Sequence, residues 1–315
     1  MKWLRRHWLR AVALLAFAAL LVAFGRRVDW RAAATAIRGA DAGLLILALV
    51  ANQTSLLLKA VRWWVFLRRI GVRSLSLVVR ATFAGASINN LVVAQGGEAA
   101  RVLLVSRATG VSVARVTAAL ALERVLDAVS YLTLLVSATW MLELPDTLVR
   151  WRTAASIALG IVVVGLMVIS ASRASEEQLP RPGFRTTLRT MASPAGLAVA
   201  MLLSLGAWAL QVTTYHTVAL AAHLPMPLSG SIAAQLAIGI SFLIRATPGN
   251  VGVFQLIYAM TARGFGIAEG PAVATALLIQ TVQVLPIVAI GTLMADGLIR
   301  GETGEERSAR SSRPL

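Results

Sequence analysis

The chain has 315 residues, 57% of them apolar and only 14% charged, with a mean hydropathy of +0.75. A soluble domain carries roughly 25% charged residues, so the deficit, together with repeated apolar runs of spanning length, excludes an ordinary soluble fold and points to a polytopic all-α membrane protein. The formal charge of +16 sits almost wholly on Arg between apolar runs, which suits topology and anionic lipid rather than nucleic acid, and the lack of Cys rules out disulfides, thiolate metal sites and thiol nucleophiles.

The first ten residues carry Lys2, Arg5, Arg6 and Arg10 ahead of an apolar run at 11–24. Fourteen apolar residues are short for a span and would suit a signal peptide. Arg10 and Arg26 can snorkel outward, however, Trp8 and Trp30 suit the two interfaces, and no clean cleavage site follows. The run is therefore taken as an uncleaved first span. A second run, 43–58, leads into KAVRWWVFLRRIGVR, where Lys59, Arg62, Arg68, Arg69 and Arg73 surround Trp63, Trp64 and Phe66. Beside a span, that mixture reads as an interfacial amphipathic helix anchored by Trp and attracted to anionic headgroups.

The stretch 81–131 is apolar enough for a bilayer yet carries Asn89, Asn90, Glu98, Arg101, Glu123, Arg124 and Asp127. A charged group at membrane depth costs at least a few kcal/mol and usually faces a cavity or a partner. Gln95-Gly96-Gly97 breaks the apolar run, and irregular backbone survives at that depth only in protein or against a wet cavity. A re-entrant broken hairpin at about 75–106 followed by a spanning helix from about 113 to 141 is expected. Further runs lie at 153–171 and 194–222, separated by the polar linker 172–189. The run 228–245 stops at ATPGNVG and resumes at 252–261, giving a second broken hairpin over about 229–265. The last span is 271–298.

This pattern amounts to about six spanning helices and two re-entrant hairpins inserted from opposite faces. The hairpins agree in spacing: Gly97 to Gly110 is 13 residues and Gly252 to Gly266 is 14, and Gly110 to Glu123 and Gly266 to Gln280 repeat those values. Two interrupted segments in corresponding positions of two halves mark a transporter-type midplane site. The expected organisation is one membrane domain, 1–300, with inverted pseudo-repeats at 75–141 and 229–298, and a disordered cytoplasmic tail at 301–315. With both termini cytoplasmic, twenty-one Lys and Arg fall inside and six outside, the asymmetry of the positive-inside rule.

SINNLVVAQGGEAARVLLVSRATGVSVARVTAALALERVLD and RATPGNVGVFQLIYAMTARGFGI resemble the two signature regions of the lysylphosphatidylglycerol synthase transmembrane, or flippase-like, family. The resemblance covers about residues 8–298. Its matching positions are Asn90, Gly97, Glu98, Arg101, Glu123, Arg124 and Asp127, then Pro248, Gly249, Gly252, Val253 and Phe254. The family usually has Glu where this chain has Gln255. The resemblance implies a cell-membrane protein that moves or handles lipids. No globular sequence follows Arg300, so lysine transfer to lipid is not expected from this chain alone.

Glu123 and Asp127 are four apart and share a helix face with Tyr131. They read either as an acidic cavity wall for a cationic headgroup or a proton relay, or as an ion cluster that locks the helix to the hairpin through Arg101 and Arg124. Glu123 has no basic residue at i+4, where Asp127 sits, so repulsion between the acids is expected to let one exchange protons. Glu98 and Arg101 either line the same cavity or, for Glu98, cap the short helix after the glycines. The Pro248-Gly249-Asn250 break offers free N–H groups suited to phosphate, or is an ordinary turn. With Gln255, these are the candidate substrate-binding residues. His7, His216 and His223 have no metal-ligand spacing, and no P-loop, HExxH, GxSxG or DxD pattern is present. The expected activity is therefore lipid transport or lipid binding without a cofactor, with membrane lipids, anionic or lipid-linked, as partners. The alternatives are a non-catalytic membrane partner of a lipid-modifying or glycosyl-transferring enzyme, or a membrane enzyme using one of these carboxylates as a base. For the topology, a reporter fused at Gly304 is expected to sit on the cytoplasmic side and one near Leu224 on the opposite side; an external signal at Gly304 would refute it.

Overall fold

A computed structural model describes residues 30–91, 96–142, 146–171, 188, 191–241, 250 and 252–311. The expected first span at 11–24, the heart of the linker, and Pro248 and Gly249 lie outside these residues. The described residues are helical, without a strand. A short helix α1 (Trp30–Arg38) precedes α2 (Ala42–Leu67), α3 (Leu75–Leu91), α4 (Gly96–Thr109) and α5 (Val113–Met141). After a single helical turn come α6 (Arg152–Ala171), α7 (Pro194–Ala221), α8 (Leu228–Ser241), α9 (Val253–Arg263) and α10 (Glu269–Ser311). Three helical stretches have the length and hydropathy of a membrane span: 42–70, 194–221 and 269–294. The 29 residues of α5 are long enough too, but include Arg115, Glu123, Arg124 and Asp127.

Local chemistry explains where the long helices start. Asp41 accepts from the Leu44 N–H at 2.9 Å, capping α2. Ser193 accepts from the Gly196 N–H, and Pro194, which has no N–H to satisfy, takes the first turn of α7. These two helices pack antiparallel along their lengths, with the Ser55 hydroxyl donating to the Ala207 carbonyl and the Thr214 hydroxyl to Ala48. Each end of the pair supports one apolar core. The C-terminal half of α2 joins α3, α4, α5 and the start of α7 around Trp63, Phe66, Val105 and Leu122. The C-terminal half of α7 joins α8, α9, α10 and the start of α2 around Tyr215, Phe254, Tyr258 and Ile279.

The two halves match in detail. α4 ends at Gly110 (φ 70°) and α9 is followed by Gly266 (φ 74°), both in the left-handed region where a side chain is disfavoured. Each glycine leads into an aliphatic residue, Val111 or Ile267, that packs on the core of its own half, and each lies three residues after an Arg in the last turn, Arg107 or Arg263.

α3 and α4 form an antiparallel hairpin in which Gly85 and Gly97 bring the two backbones into contact. The Gly97 N–H donates to the Asn89 Oδ1 at 2.8 Å, satisfying a donor at the start of α4. α3 also lies against α10, where Gly291 meets the Phe83 carbonyl and Ser87. Small residues at such crossings allow the close approach on which helix association in lipid depends.

One expectation is corrected. The interfacial helix after residue 58 is instead the last third of α2, in which Arg62 and Trp63 are fully buried, while Arg68, Arg69 and Arg73 beyond its end stay exposed. α10 is helical through Ser311.

Gly97→Ala is expected to pry the hairpin apart and cost on the order of 1–3 kcal/mol, as overpacking does. Gly160→Ala on α6, with open space around it, is expected to be neutral or stabilising by up to about 1 kcal/mol. Thermal unfolding in detergent distinguishes the two, and equal effects would contradict this account of the hairpin.

Candidate functional site

The polar centre of the protein lies where α2, α4, α5 and α7 meet. On α5, positions 123, 124 and 127 fall within one turn, so Glu123 and Asp127 face α2. Arg62 reaches them from α2. Its Nη2 donates to Glu123 Oε1 at 3.1 Å and its Nη1 to Asp127 Oδ1 at 2.7 Å, with a further bond to the Ser204 hydroxyl of α7 at 2.6 Å. Arg101 of α4 takes the other oxygen of Glu123 at 2.7 Å. Arg124 contacts Asp127 Oδ2 at 3.4 Å and pairs with Glu98 of α4. Glu98, Arg124, Asp127, Arg62, Glu123 and Arg101 thus form one chain of alternating charges across three helices. The Arg101 guanidinium lies 4.5 Å from the centre of the buried Trp63 ring, a cation–π contact.

The environment grades along this chain. Arg62 is 0% exposed and Glu123 3%, whereas the Arg124 side chain is 48% exposed and Glu98 25%. Burying an isolated charge is prohibitive; pairing with good hydrogen bonds offsets most of that cost, and charge-assisted bonds of this length are the strong ones. Three guanidiniums against three carboxylates leave the network neutral.

A fourth cation stands beside it. Lys59 is one turn before Arg62, and its Nζ donates to Gln211 Oε1 of α7 at 3.3 Å. Ser55, a turn further along, donates to the Ala207 carbonyl and also lies 3.4 Å from Gln211 Oε1. Ser55, Lys59 and Arg62 therefore make a polar stripe on the α7-facing side of a largely apolar helix.

The second half has a neutral counterpart. Gly252, with φ 87°, begins α9, and its N–H donates to Gln255 Oε1 at 2.6 Å. The Gln255 amide nitrogen donates to Gln280 of α10, and both side chains are buried. A buried Gln can serve both as acceptor and as donor here, so no charge is required where the resemblance leads one to expect Glu.

Five of the candidate residues, Glu98, Arg101, Glu123, Arg124 and Asp127, are therefore brought into one network, and Gly97 makes the close approach that seats α4 beside it. Asn90 is not part of it: its amide donates to the Ala86 carbonyl one turn back. Gly252 and Gln255 belong to the second cluster. Of the two readings of Glu123 left open by the sequence, the geometry has the ion cluster: both its oxygens are held by arginines, one of them the expected Arg101 and the other Arg62. Sequence reasoning missed Arg62 as the hub, together with Lys59, Ser204 and Gln211. The available signal was the spacing of Ser55, Lys59 and Arg62, which puts three polar residues on one face of a spanning helix.

Among the described residues no three His, Cys, Asp or Glu side chains are grouped to hold a metal ion. His216 faces the Ser231 hydroxyl at 3.1 Å and His223 the Gly39 carbonyl at 3.2 Å, both bonds between helices or their ends.

A helical bundle with apolar spans and a neutral ion network among them is an integral, polytopic all-α membrane protein. Residues 10–291 match the family described as lysylphosphatidylglycerol synthase TM region, and the chain belongs to that family. No curated protein matches the sequence significantly.

Replacing Glu123 by Gln leaves two buried arginines short of a counter-charge, and breaking a buried pair in this way costs roughly 3–5 kcal/mol. The expected result is a large drop in thermal stability and in membrane abundance. A Glu123→Gln protein of unchanged stability would show that the ion chain does not hold the helices together.

Proposed function

We propose that the protein binds and moves membrane lipids with an anionic headgroup, using Lys59 and the exposed end of the ion network as the headgroup site. The observation that carries this reading is the charge balance at the centre of the bundle. All three carboxylates there are held by arginines, so they are not available to attract a cationic headgroup; Lys59 is the surplus positive charge, hydrogen-bonded to a neutral amide. A Lys ammonium within a membrane domain, next to a neutral cluster, favours an anion such as a phosphate. Family membership supports a role with phospholipids.

The matched halves support a transport cycle. We take α2–α5 and α7–α10 as inverted repeats, each with a spanning helix, a broken hairpin and a second spanning helix, a wider unit than 75–141 and 229–298. In such proteins the site lies between repeats that rock about it. The charged cluster of the first repeat and the Gln255–Gln280 pair of the second make that site one-sided. The cytoplasmic orientation of both termini draws support from the count of basic residues: leaving out Lys59, Arg62 and Arg101, which lie within the bundle, the expected topology still puts eighteen inside against six outside.

The test is reconstitution in liposomes with labelled phosphatidylglycerol or phosphatidylcholine, following headgroup accessibility on each leaflet and the chemical identity of the lipid. Accelerated movement of phosphatidylglycerol is expected. Lys59→Gln, which breaks no hydrogen bond or ion pair to a carboxylate, is expected to keep most of its stability and to lose about tenfold in rate, the equivalent of one charge-assisted contact. A new lipid species would instead establish an enzyme, and neither effect would leave the role of a partner to a lipid-modifying enzyme. Wild-type rates in Lys59→Gln would refute the headgroup assignment.

A further inference from the structure

Between α5, α6 and α7 the protein leaves a cleft of about 470 Å³ lined by apolar residues, including Leu126, Val129, Val163, Met167, Leu197 and Met201. Protein interiors pack at the density of organic crystals and hold few voids larger than a water molecule. A space of this size is therefore not ordinary packing between helices, and walls with so little polar surface hold water poorly. The cleft opens to the outside of the bundle, because Met167 is 64% exposed, and the rest of the outer face of α6, with Ile157, Ile161, Val164 and Val168, is exposed as well. In a membrane that face meets hydrocarbon. The chief neighbour of α6 among the described helices is α5, so the cleft is a wedge between a loosely attached helix and the bundle rather than a gap in a core.

Two of its walls lead, along their own helices, to residues of the ion network. Leu126 is next to Asp127, and Met201 is one turn before Ser204, the residue that accepts from Arg62. The Ser130 hydroxyl touches the Met201 sulfur at 3.7 Å. From Pro194 to Met201 the α7 wall runs seven residues, about 10 Å at 1.5 Å per residue. Two of the walls are methionines, whose flexible thioethers adapt to a chain of variable shape.

We infer that this cleft is a binding site for one acyl chain of a membrane phospholipid, which it holds laterally so that the polar end of the lipid lies against the ion network. The inference rests on the lipid reading above and adds to it the place where the hydrocarbon part is gripped. It also gives α6 a function: it is the outer wall of the chain site. Entry is sideways from the bilayer, so no passage through the bundle is needed for the tails.

The experiment uses the full-length protein in phosphatidylcholine nanodiscs, with phosphatidylglycerol carrying a photoactivatable diazirine in one acyl chain, and cross-links mapped by mass spectrometry. Labelling is expected at Val163, Met167, Leu197 and Met201, saturating with probe and competed by unlabelled phosphatidylglycerol. Ala198→Trp and Val163→Trp fill the cleft from opposite walls and are each expected to cut that labelling about tenfold while leaving labelling at the lipid-facing Ile46 and Leu293 unchanged. Competition on the unmodified protein decides the matter even if both tryptophan variants fail to fold. Labelling that does not saturate, and is no greater in the cleft than at Ile46 and Leu293, would overturn the proposal in favour of ordinary boundary lipid. A diazirine phosphatidylcholine that labels the cleft equally well and competes equally would keep the chain site and defeat the anionic-headgroup reading.

Discussion

Arg62 is the constraint around which the bundle is arranged. A guanidinium fully removed from solvent has to be neutralised and its donors have to be bonded, and no single helix can supply both. Glu123 and Asp127 provide the charge from α5 and Ser204 a further acceptor from α7, so that both Nη atoms are bonded while Nε has no hydrogen-bond partner. Satisfying this one side chain therefore ties α2 to two other helices at fixed depth. Arg101 then completes Glu123 and brings in α4, and with it the α3–α4 hairpin. In a membrane, where apolar contact between helices is little better than contact with lipid, such polar ties carry specificity that hydrophobic burial cannot.

The same residues explain why the charged cluster can sit beside a site without being consumed by it. The carboxylates face arginines, not the cavity, and the network fades outward from Glu123 to the half-exposed Arg124. In the proposed reading a headgroup would approach the network at this half-exposed end, where Arg124 is already positioned by Glu98 and Asp127. Lys59 adds to this from the α7-facing side of α2, held by Gln211. An apolar cleft one turn away, between α5, α6 and α7, supplies the complementary surface for hydrocarbon. Head and tail chemistry are thus adjacent, as an amphipathic ligand requires.

The two halves share a backbone plan but not a chemistry. Gly110 and Gly266 hold the same left-handed turn, and each half builds its own apolar core on one end of the α2–α7 pair. The first half places ion pairs between its short helix and its spanning helix; the second places the Gln255–Gln280 bond there. Neutral amides can be buried without a counter-charge, so the second half is the less costly of the two to assemble.

Sequence alone determined the class of fold. Composition and run length require membrane helices because unpaired backbone cannot exist in hydrocarbon, and the glycine-marked spacings exposed the correspondence between halves, which depends on local backbone conformation. The acidic and basic residues of α4 and α5 were legible as a site because charge at membrane depth is costly wherever it occurs. What the sequence could not decide was partnership. Lys59 and Arg62 sit in a run rich in Arg and Trp that is equally compatible with an interface, and only packing against Glu123, Asp127 and Ser204, 61 to 142 residues away, shows them to be interior. Asn90 looked equivalent to its neighbours but bonds within its own helix. The cleft at α6 left no mark at all, because a void among Leu, Val and Met depends on how three helices cross, and helices of the same composition could as well close over it.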